Sequence, residues 1–291
     1  MAGLRELDLQ SYTQPFRLPG PGSSLVTFKM EDEYMKRMTR LAILITAFAL
    51  VLAACGSDTD AGGDLNLVTA GTLTVCTDSP YPPMEFEQDG EFTGFDIELM
   101  RAIAGDLGLD LAVINTGFDP ITSGLAMEAG DCDIAAASIT ITEEREENID
   151  FSDGYFTADQ SLLTSNSSGL SALADFGGSS LAVQTGTTGE MYAQENAPGD
   201  TEIVSFENPG DLFTALQAGT VQGVLQDIVP NAEYALNNDD VSLVENFPTN
   251  EVYGFATKEE GAEDVLNAVN TSLGKLEDNG TYDDIWNDWF G

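Results

Sequence analysis

The chain of 291 residues contains no histidine. That absence removes histidine triads, imidazole metal ligands and imidazole acid–base chemistry together. Basic residues are almost as scarce. Beyond Cys55 the only cations are Arg101, Arg145, Lys258 and Lys275. All but five of the 50 acids (Glu6, Asp8, Glu31, Asp32 and Glu33) lie in that same stretch. A surface so acidic repels nucleic acid and anionic lipid, which excludes nucleic-acid partners, and it favours solubility. There is no apolar run of ~20 residues, the length a spanning helix needs. Asp58-x-Asp60-x-Gly62 starts like a calcium loop, but Thr69 stands where the twelfth-position Glu belongs. No metal-ligand set and no cofactor motif is found. Only three cysteines are present, Cys55, Cys76 and Cys132.

Cys55 closes the stretch Leu52-Ala53-Ala54-Cys55, behind the apolar run 41–52 and the cations Lys36, Arg37 and Arg40. A basic segment, a short apolar segment and small residues before the cut describe an export signal. With Cys at the cut it resembles a lipoprotein signal spanning 35–55, so Cys55 is expected to carry lipid. Residues 1–34 hold Pro15, Pro19 and Pro21 and no helical period, and read as an upstream or disordered extension. Residues 56–65 read as a flexible acidic tether.

The remainder alternates between strand and helix patterns. Strands are expected at 72–77, 111–114, 133–139, 180–184, 202–206, 221–226 and 253–257. Helices are expected at 97–107 with Asp96 as cap, 121–129, 189–195, 210–218, 232–236, 263–276 and 282–290. Asp89-Gly90 marks a hairpin within 86–92. Alternation of this kind implies parallel sheets in an α/β fold. The pattern restarts near Ser180, which suggests two units with a cleft between them. Ligands in open α/β sheets sit beyond the carboxyl ends of strands.

Strand ends here carry polar groups. Asp78 and Tyr81 follow the first strand, and Ser138, Thr140 and Arg145 follow the third. Thr187 and Thr188 follow the first strand of the second unit, and Asp227 its last. Arg145 is a rare cation placed in a strand-end loop, where a guanidinium can hold a carboxylate bidentately. An ion pair with Glu143 or Asp150 is the equal alternative. Asp227 suits an ammonium, or else caps the next helix. The 185–189 loop presents N–H groups and hydroxyls at a helix start but lacks the P-loop lysine. Tyr81 and Phe118 are aromatics able to cover a ligand, or ordinary core.

Five stretches in order then carry a resemblance: 78–84, 94–104 with Gly94-Phe95-Asp96-Ile97-Glu98-Leu99, 139–145, 149–152, and 279–290 with Trp286 and Trp289. Over about 65–291 the chain resembles the family-3 extracellular solute-binding proteins, the amino-acid-binding components of ABC importers. The resemblance implies a two-lobed, periplasmic-binding-protein-like (type II) α/β fold with the ligand cleft between lobes. Lobe 1 is expected at 66–155 plus 254–291 and lobe 2 at 156–253, with crossings near 155–161 and 252–255. It implies no enzyme activity and no cofactor. The implied partners are a free amino acid, ABC permease subunits and the membrane through a lipid anchor, for a monomer held outside the cytoplasm. It implies that Arg145 grips the α-carboxylate with help from Thr140, Thr187 and Thr188. Asp227 would hold the α-ammonium with Ser138 beside it. Tyr81 and Phe118 would cover the ligand, and Asp78 and Gln184 would face its side chain. Family glutamine binders often carry Lys where Gln184 stands. An acid at Asp78 without that Lys suits a polar or cationic side chain.

A dehydratase on the same fold is the alternative, with Glu143 or Glu144 as acid–base; a sensor ectodomain is another. Export permits a Cys76–Cys132 bridge, with two buried thiols the equal alternative. If Asp78 and Ser138 mark one cleft level, the cysteines are offset by four residues, ~13 Å along a strand. That exceeds the ~7 Å Cα limit for a bridge unless the chain bends before Asp133.

Overall fold

A computed structural model describes residues 65–291. The extension, the signal segment with Cys55 and nearly all of the tether lie outside the described residues. All described residues belong to one compact unit.

The chain opens with β1 (Thr72–Thr77), then the hairpin β2 (Phe86–Gln88) and β3 (Glu91–Thr93). Asp89 and Gly90 both take positive φ, as the tight turn between them requires. Helix α1 (Phe95–Asp106) follows. Gly94 before it has φ 120°, and a Cβ there would lie 2.2 Å from the Met84 carbonyl oxygen, so only glycine fits. Asp96 is not the expected cap. It lies in the first turn, and its carboxylate accepts bonds from the Ser138 N–H and the Tyr155 hydroxyl instead.

Next come β4 (Asp110–Asn115), α2 (Phe118–Thr122) and α3 (Leu125–Glu128). The single helix expected at 121–129 is broken at Gly124, which is left-handed and packs against the Asn148 carbonyl. The strand expected at 133–139 is only β5 (Ile134–Ala135). The chain leaves the ladder after Ala135, and Ser138 takes a left-handed φ of 50°. A 3-10 turn at Arg145–Glu147 leads into β6 (Ile149–Phe151).

The second half begins with β7 (Phe156–Ser165), then β8 (Ser180–Gln184), α4 (Thr188–Asn196), β9 (Glu202–Phe206) and α5 (Pro209–Gln217). Asn208 caps α5 through the Gly210 N–H, and Pro209 occupies its first turn. Then follow β10 (Gly223–Asp227), α6 (Ile228–Asn237) and the long β11 (Val241–Tyr253). The expected strand 253–257 is divided: β11 ends at Tyr253, and β12 (Ala256–Lys258) starts after Gly254 and Phe255. Helices α7 (Glu263–Asn279) and α8 (Thr281–Phe290) meet at left-handed Gly280.

Two five-stranded sheets result. One has the order β4-β1-β5-β12-β6, the other β11-β7-β10-β8-β9. Within each, the β1 or β8 core pairs in parallel, and strands returning from the other half pair antiparallel. This is the two-lobed α/β arrangement. The chain passes between sheets at Tyr155, whose N–H bonds the Tyr253 carbonyl, and returns at Gly254, whose N–H bonds the Ile139 carbonyl. Around these passages Phe95, Tyr155, Phe156, Tyr253 and Phe255 are fully buried. Trp286 and Phe290 of α8 pack their rings on Phe95 and Phe156, so the C-terminal helix braces the crossing.

Cys76 and Cys132 form a disulfide with Cα atoms 5.7 Å apart. The ~13 Å offset does not arise because Cys132 is not on the strand. Cys76 pairs with Ala135 in the ladder, and the chain turns in at Asp133, whose N–H bonds the Thr74 carbonyl. Asp133 fixes that bend by accepting the Val68 and Thr74 N–H groups on its carboxylate.

Candidate functional site

All ten residues singled out in the sequence line one cleft between the sheets: Asp78, Tyr81, Phe118, Ser138, Thr140 and Arg145 from one side, and Gln184, Thr187, Thr188 and Asp227 from the other. The space between them, open mouth included, is about 400 Å³. Residues from the two sides touch. Gln184 donates to Asp78 (2.6 Å), the Tyr81 hydroxyl to Asp227 (2.9 Å) and Arg145 to the Gly186 carbonyl (3.2 Å). The cleft is thus described in a closed arrangement.

Arg145 is 7% exposed, and no acid partners it. The ion pairs among the described residues are Arg101–Glu98 and Lys275–Asp106. The guanidinium instead donates to the Thr140 and Gly186 carbonyls and lies 4.9 Å from the centre of the Phe118 ring. Two neutral acceptors and an aromatic face orient the cation, while Asp227, Glu251 and Glu144 act on its charge from a distance without a direct ion pair. Burial lowers its pKa. An incoming carboxylate would supply a direct ion-pair partner.

Asp227 occupies the residue before α6, but its side chain makes no capping bond. It accepts from the Tyr81 hydroxyl, the Tyr253 hydroxyl (2.5 Å) and the Gln160 amide. Burial, then the neighbouring Glu251, raise its pKa to about 7. The cap alternative therefore fails on geometry: the carboxylate turns into the cleft. Ser138 lies between two further acids, donating its hydroxyl to Glu85 and its N–H to Asp96. The Thr140 and Thr188 hydroxyls both donate to Glu251. Thr187 caps α4 through the Glu190 N–H. The dehydratase candidates Glu143 and Glu144 are exposed and do not line this cleft.

Sequence reading missed Glu85, Gln160, Glu251 and Tyr253. Glu85 had a signal: it is an acid set between Met84 and Phe86, just past a strand-end loop. The other three stand on β7 and β11, strands that the hydrophobic pattern did not reveal.

Four acids, Asp78, Glu85, Asp96 and Asp227, are buried around the cleft against Arg145, the one buried cation among the described residues. Burial pushes Asp78 up to about 6 and Asp96 to about 7, and burial with Asp96 close by raises Glu85 well above its ordinary range. These carboxyls bind protons more tightly in the folded protein than in the unfolded chain, where an Asp titrates near ~3.9. The folded state therefore holds more protons between roughly pH 4 and 7, and stability falls as pH rises through that window. The unliganded protein is expected to melt several degrees higher at pH 5 than at pH 8. Thermal scans at the two values check it, and a higher melting temperature at pH 8 contradicts it.

Comparison with known proteins decides the family. Residues 73–291 match the model of the bacterial extracellular solute-binding proteins, family 3. The chain belongs to this family. The solute-binding protein is 32% identical over 270 residues to the ABC transporter glutamine-binding protein GlnH of Bacillus subtilis, covering 88% of this chain and 97% of the other. An ancestral arginine-binding protein bound to arginine superposes with a TM-score of 0.71 at 34% identity, over 76% of this chain and 99% of the other. An ancestral arginine-binding protein bound to glutamine superposes with a TM-score of 0.71 at 35% identity, over 77% of this chain and 99% of the other. The ancestral amino acid-binding protein AncCDT-1, a precursor of cyclohexadienyl dehydratase, scores 0.69 at 36% identity, over 76% and 96%.

Proposed function

We propose that the chain is the extracellular substrate-binding lipoprotein of an amino-acid ABC importer. It captures a polar or cationic L-amino acid by lobe closure and delivers it to permease subunits as a monomer. Lobe 1 would be 66–155 plus 254–291 and lobe 2 156–253, hinged where the chain passes between sheets. The observation that carries the reading is the opposed pair in one closed cleft: Arg145 without a direct ion-pair partner, and Asp227 at the head of α6 with its carboxylate making no capping bond. That pair suits the carboxylate and ammonium of a free amino acid. Thr140, Thr187, Thr188 and Ser138 surround them, Tyr81 and Phe118 flank them, and Asp78 and Gln184 are left for the side chain. Membership of a solute-binding family supports the transport setting.

The excess of buried acid supports the ligand class. A second ligand carboxylate would enter a pocket whose one buried cation is already engaged, at a large desolvation cost. That ancestral arginine-binding proteins have been solved with arginine and with glutamine supports keeping both in the set. A thermal-shift screen of the twenty amino acids tests the reading: polar or basic ones should raise the melting temperature, and no response to any of them defeats it.

Lipid anchoring at Cys55 is part of the proposal, motivated by Leu52-Ala53-Ala54-Cys55. It places the protein outside the cytoplasm on a short acidic tether. Mass spectrometry of native protein should find an acylated N-terminus at Cys55; a mature chain beginning at Met1 or Met38 refutes it. A dehydratase reading has one observation in its favour, the similarity to AncCDT-1. Incubation with prephenate-like acids and product analysis separates turnover from binding.

A further inference from the structure

Gly210 stands in the first turn of α5, directly after Pro209, and its φ is not left-handed. Glycine is a poor helix former, so the backbone supplies no reason for it here. Its surroundings do. A Cβ on Gly210 would lie 3.0 Å from the Pro80 Cγ, 3.6 Å from the Pro80 Cδ and 3.1 Å from the Asn208 Oδ1 that caps the helix. Pro80 belongs to the loop after β1 in the first sheet, and Gly210 to the helix after β9 in the second. The two sides of the cleft therefore meet here, ring against backbone. The contact is remote from the chain crossing. The chain leaves and re-enters the first sheet by way of β7 and β11, and β9 lies at the opposite edge of the second sheet from β11. Opening about the crossing moves that far edge most. The same edge carries a polar bond across the cleft. Gln184, at the end of β8, donates its amide to Asp78 at 2.6 Å and to the Glu207 carbonyl of the β9–α5 turn at 3.2 Å. The turn 207–210 thus supports both the bond to Asp78 and the seat for Pro80.

We infer that Pro80 and the turn 207–210 form the closing seam of the cleft, and that Gly210 is a positioning residue whose missing side chain lets the lobes shut fully over the ligand's side-chain end. The inference rests on the binding reading above, but neither Pro80 nor Gly210 is among the residues that line the cleft. Asp78 and Gln184, the pair left for the ligand side chain, lie directly inside the seam. Closure is favoured by contacts that exist in the closed state and not in the open one. A contact made only after closure slows release and leaves the encounter step alone.

Stopped-flow binding with arginine and with glutamine provides the kinetic test. Gly210→Leu places bulk where the Pro80 ring sits, and Gly210→Ala places less. Release should quicken about tenfold in Gly210→Leu and by a smaller factor in Gly210→Ala, with association unchanged within a factor of about two. The melting temperature of the unliganded protein should not fall, since both residues are better helix formers than glycine. Asn208→Ala is the control for damage to the helix start: it removes the cap and adds no bulk, so it should lower the melting temperature and leave release unchanged. Spin labels at Asn267→Cys and Gln217→Cys, exposed positions on α7 and α5, report lobe separation. A Cys55→Ser background leaves these as the free thiols, because Cys76 and Cys132 are bridged. Distances are read without ligand and with saturating arginine. The short-distance population should be smaller in Gly210→Leu than in the unsubstituted chain in whichever state shows it. Unchanged release with unchanged distances, equal quickening in Asn208→Ala, or no short-distance population in either state of the unsubstituted chain each overturn the seam. Failure of every amino acid to bind the wild-type protein defeats the binding reading instead, and the unliganded label distances still decide the seam.

Discussion

Arg145→Ala should weaken amino-acid binding by several kcal/mol, enough to take a micromolar site out of practical reach. The wild-type guanidinium is buried, held between the Thr140 and Gly186 carbonyls, and backed by the Phe118 ring. None of those neighbours neutralises it. A ligand carboxylate arriving there would gain charge-assisted bonds in a site of low dielectric. In the alanine variant the same carboxylate would be buried with no cation and four acids nearby, and truncating one partner of a buried charged pair costs about 2–5 kcal/mol or more. Arg145→Lys should recover little, since an ammonium cannot reproduce the planar fork or lie flat on Phe118. Without ligand, Arg145→Ala removes a buried charge that has no direct ion-pair partner, so unliganded stability should change far less than affinity. Titration calorimetry with parallel melting curves measures both. Wild-type affinity in Arg145→Ala would show that the carboxylate binds elsewhere.

Asp227→Asn should separate binding from stability more sharply. Asp227 contributes no cap to α6, so the substitution removes none. Its Oδ2 serves Tyr81 and Tyr253 and its Oδ1 serves Gln160; the asparagine oxygen can keep the two tyrosine bonds, with its –NH2 facing Gln160, whose buried amide oxygen has no partner among the described residues and can turn to accept it. The charge itself is unfavourable in the empty site, as the rise of its pKa to about 7 by burial and by Glu251 implies. Unliganded Asp227→Asn is therefore expected to melt at or above the wild-type temperature at pH 8. Affinity should fall by about 2–5 kcal/mol, because the ligand ammonium loses its counter-charge. A variant that binds normally but melts lower would make Asp227 a scaffold residue.

How far the sequence told this in advance can be traced element by element. Strands β1, β8 and β9 match the expected ranges residue for residue, because each is a short apolar run bounded by turn residues. Strands β7 and β11 escaped because their pattern is not apolar. Buried Gln160, Ser161 and Thr164 interrupt β7, and Pro248, Asn250 and two register shifts interrupt β11. Those polar positions exist for the crossing and the cleft. The loss of the two strands is why Gln160, Glu251 and Tyr253 went unread, while every strand-end residue that was read does line the cleft. The disulfide was left open against two free thiols for a related reason. The offset argument placed Cys132 on a straight strand, but the Asp133 bend that brings it to Cys76 is made by carboxylate bonds to Val68 and Thr74, which leave no periodic trace. Asp96 was misjudged through proximity to a helix start, a position where capping is the commonest role but not the role here.

The buried acids bear on the account's central claim, that this cleft takes an amino acid whose side chain is polar or cationic. Competition calorimetry measures it most directly: purified protein is titrated at pH 7.5 with arginine, lysine, glutamine, asparagine, glutamate and aspartate, each also displacing the others. The account predicts that a basic amino acid or glutamine binds tightest, with glutamate and aspartate weaker by at least an order of magnitude, consistent with an unpaired second carboxylate beside Asp78 and Glu85. Tightest binding of glutamate, or of a large apolar amino acid, would contradict it.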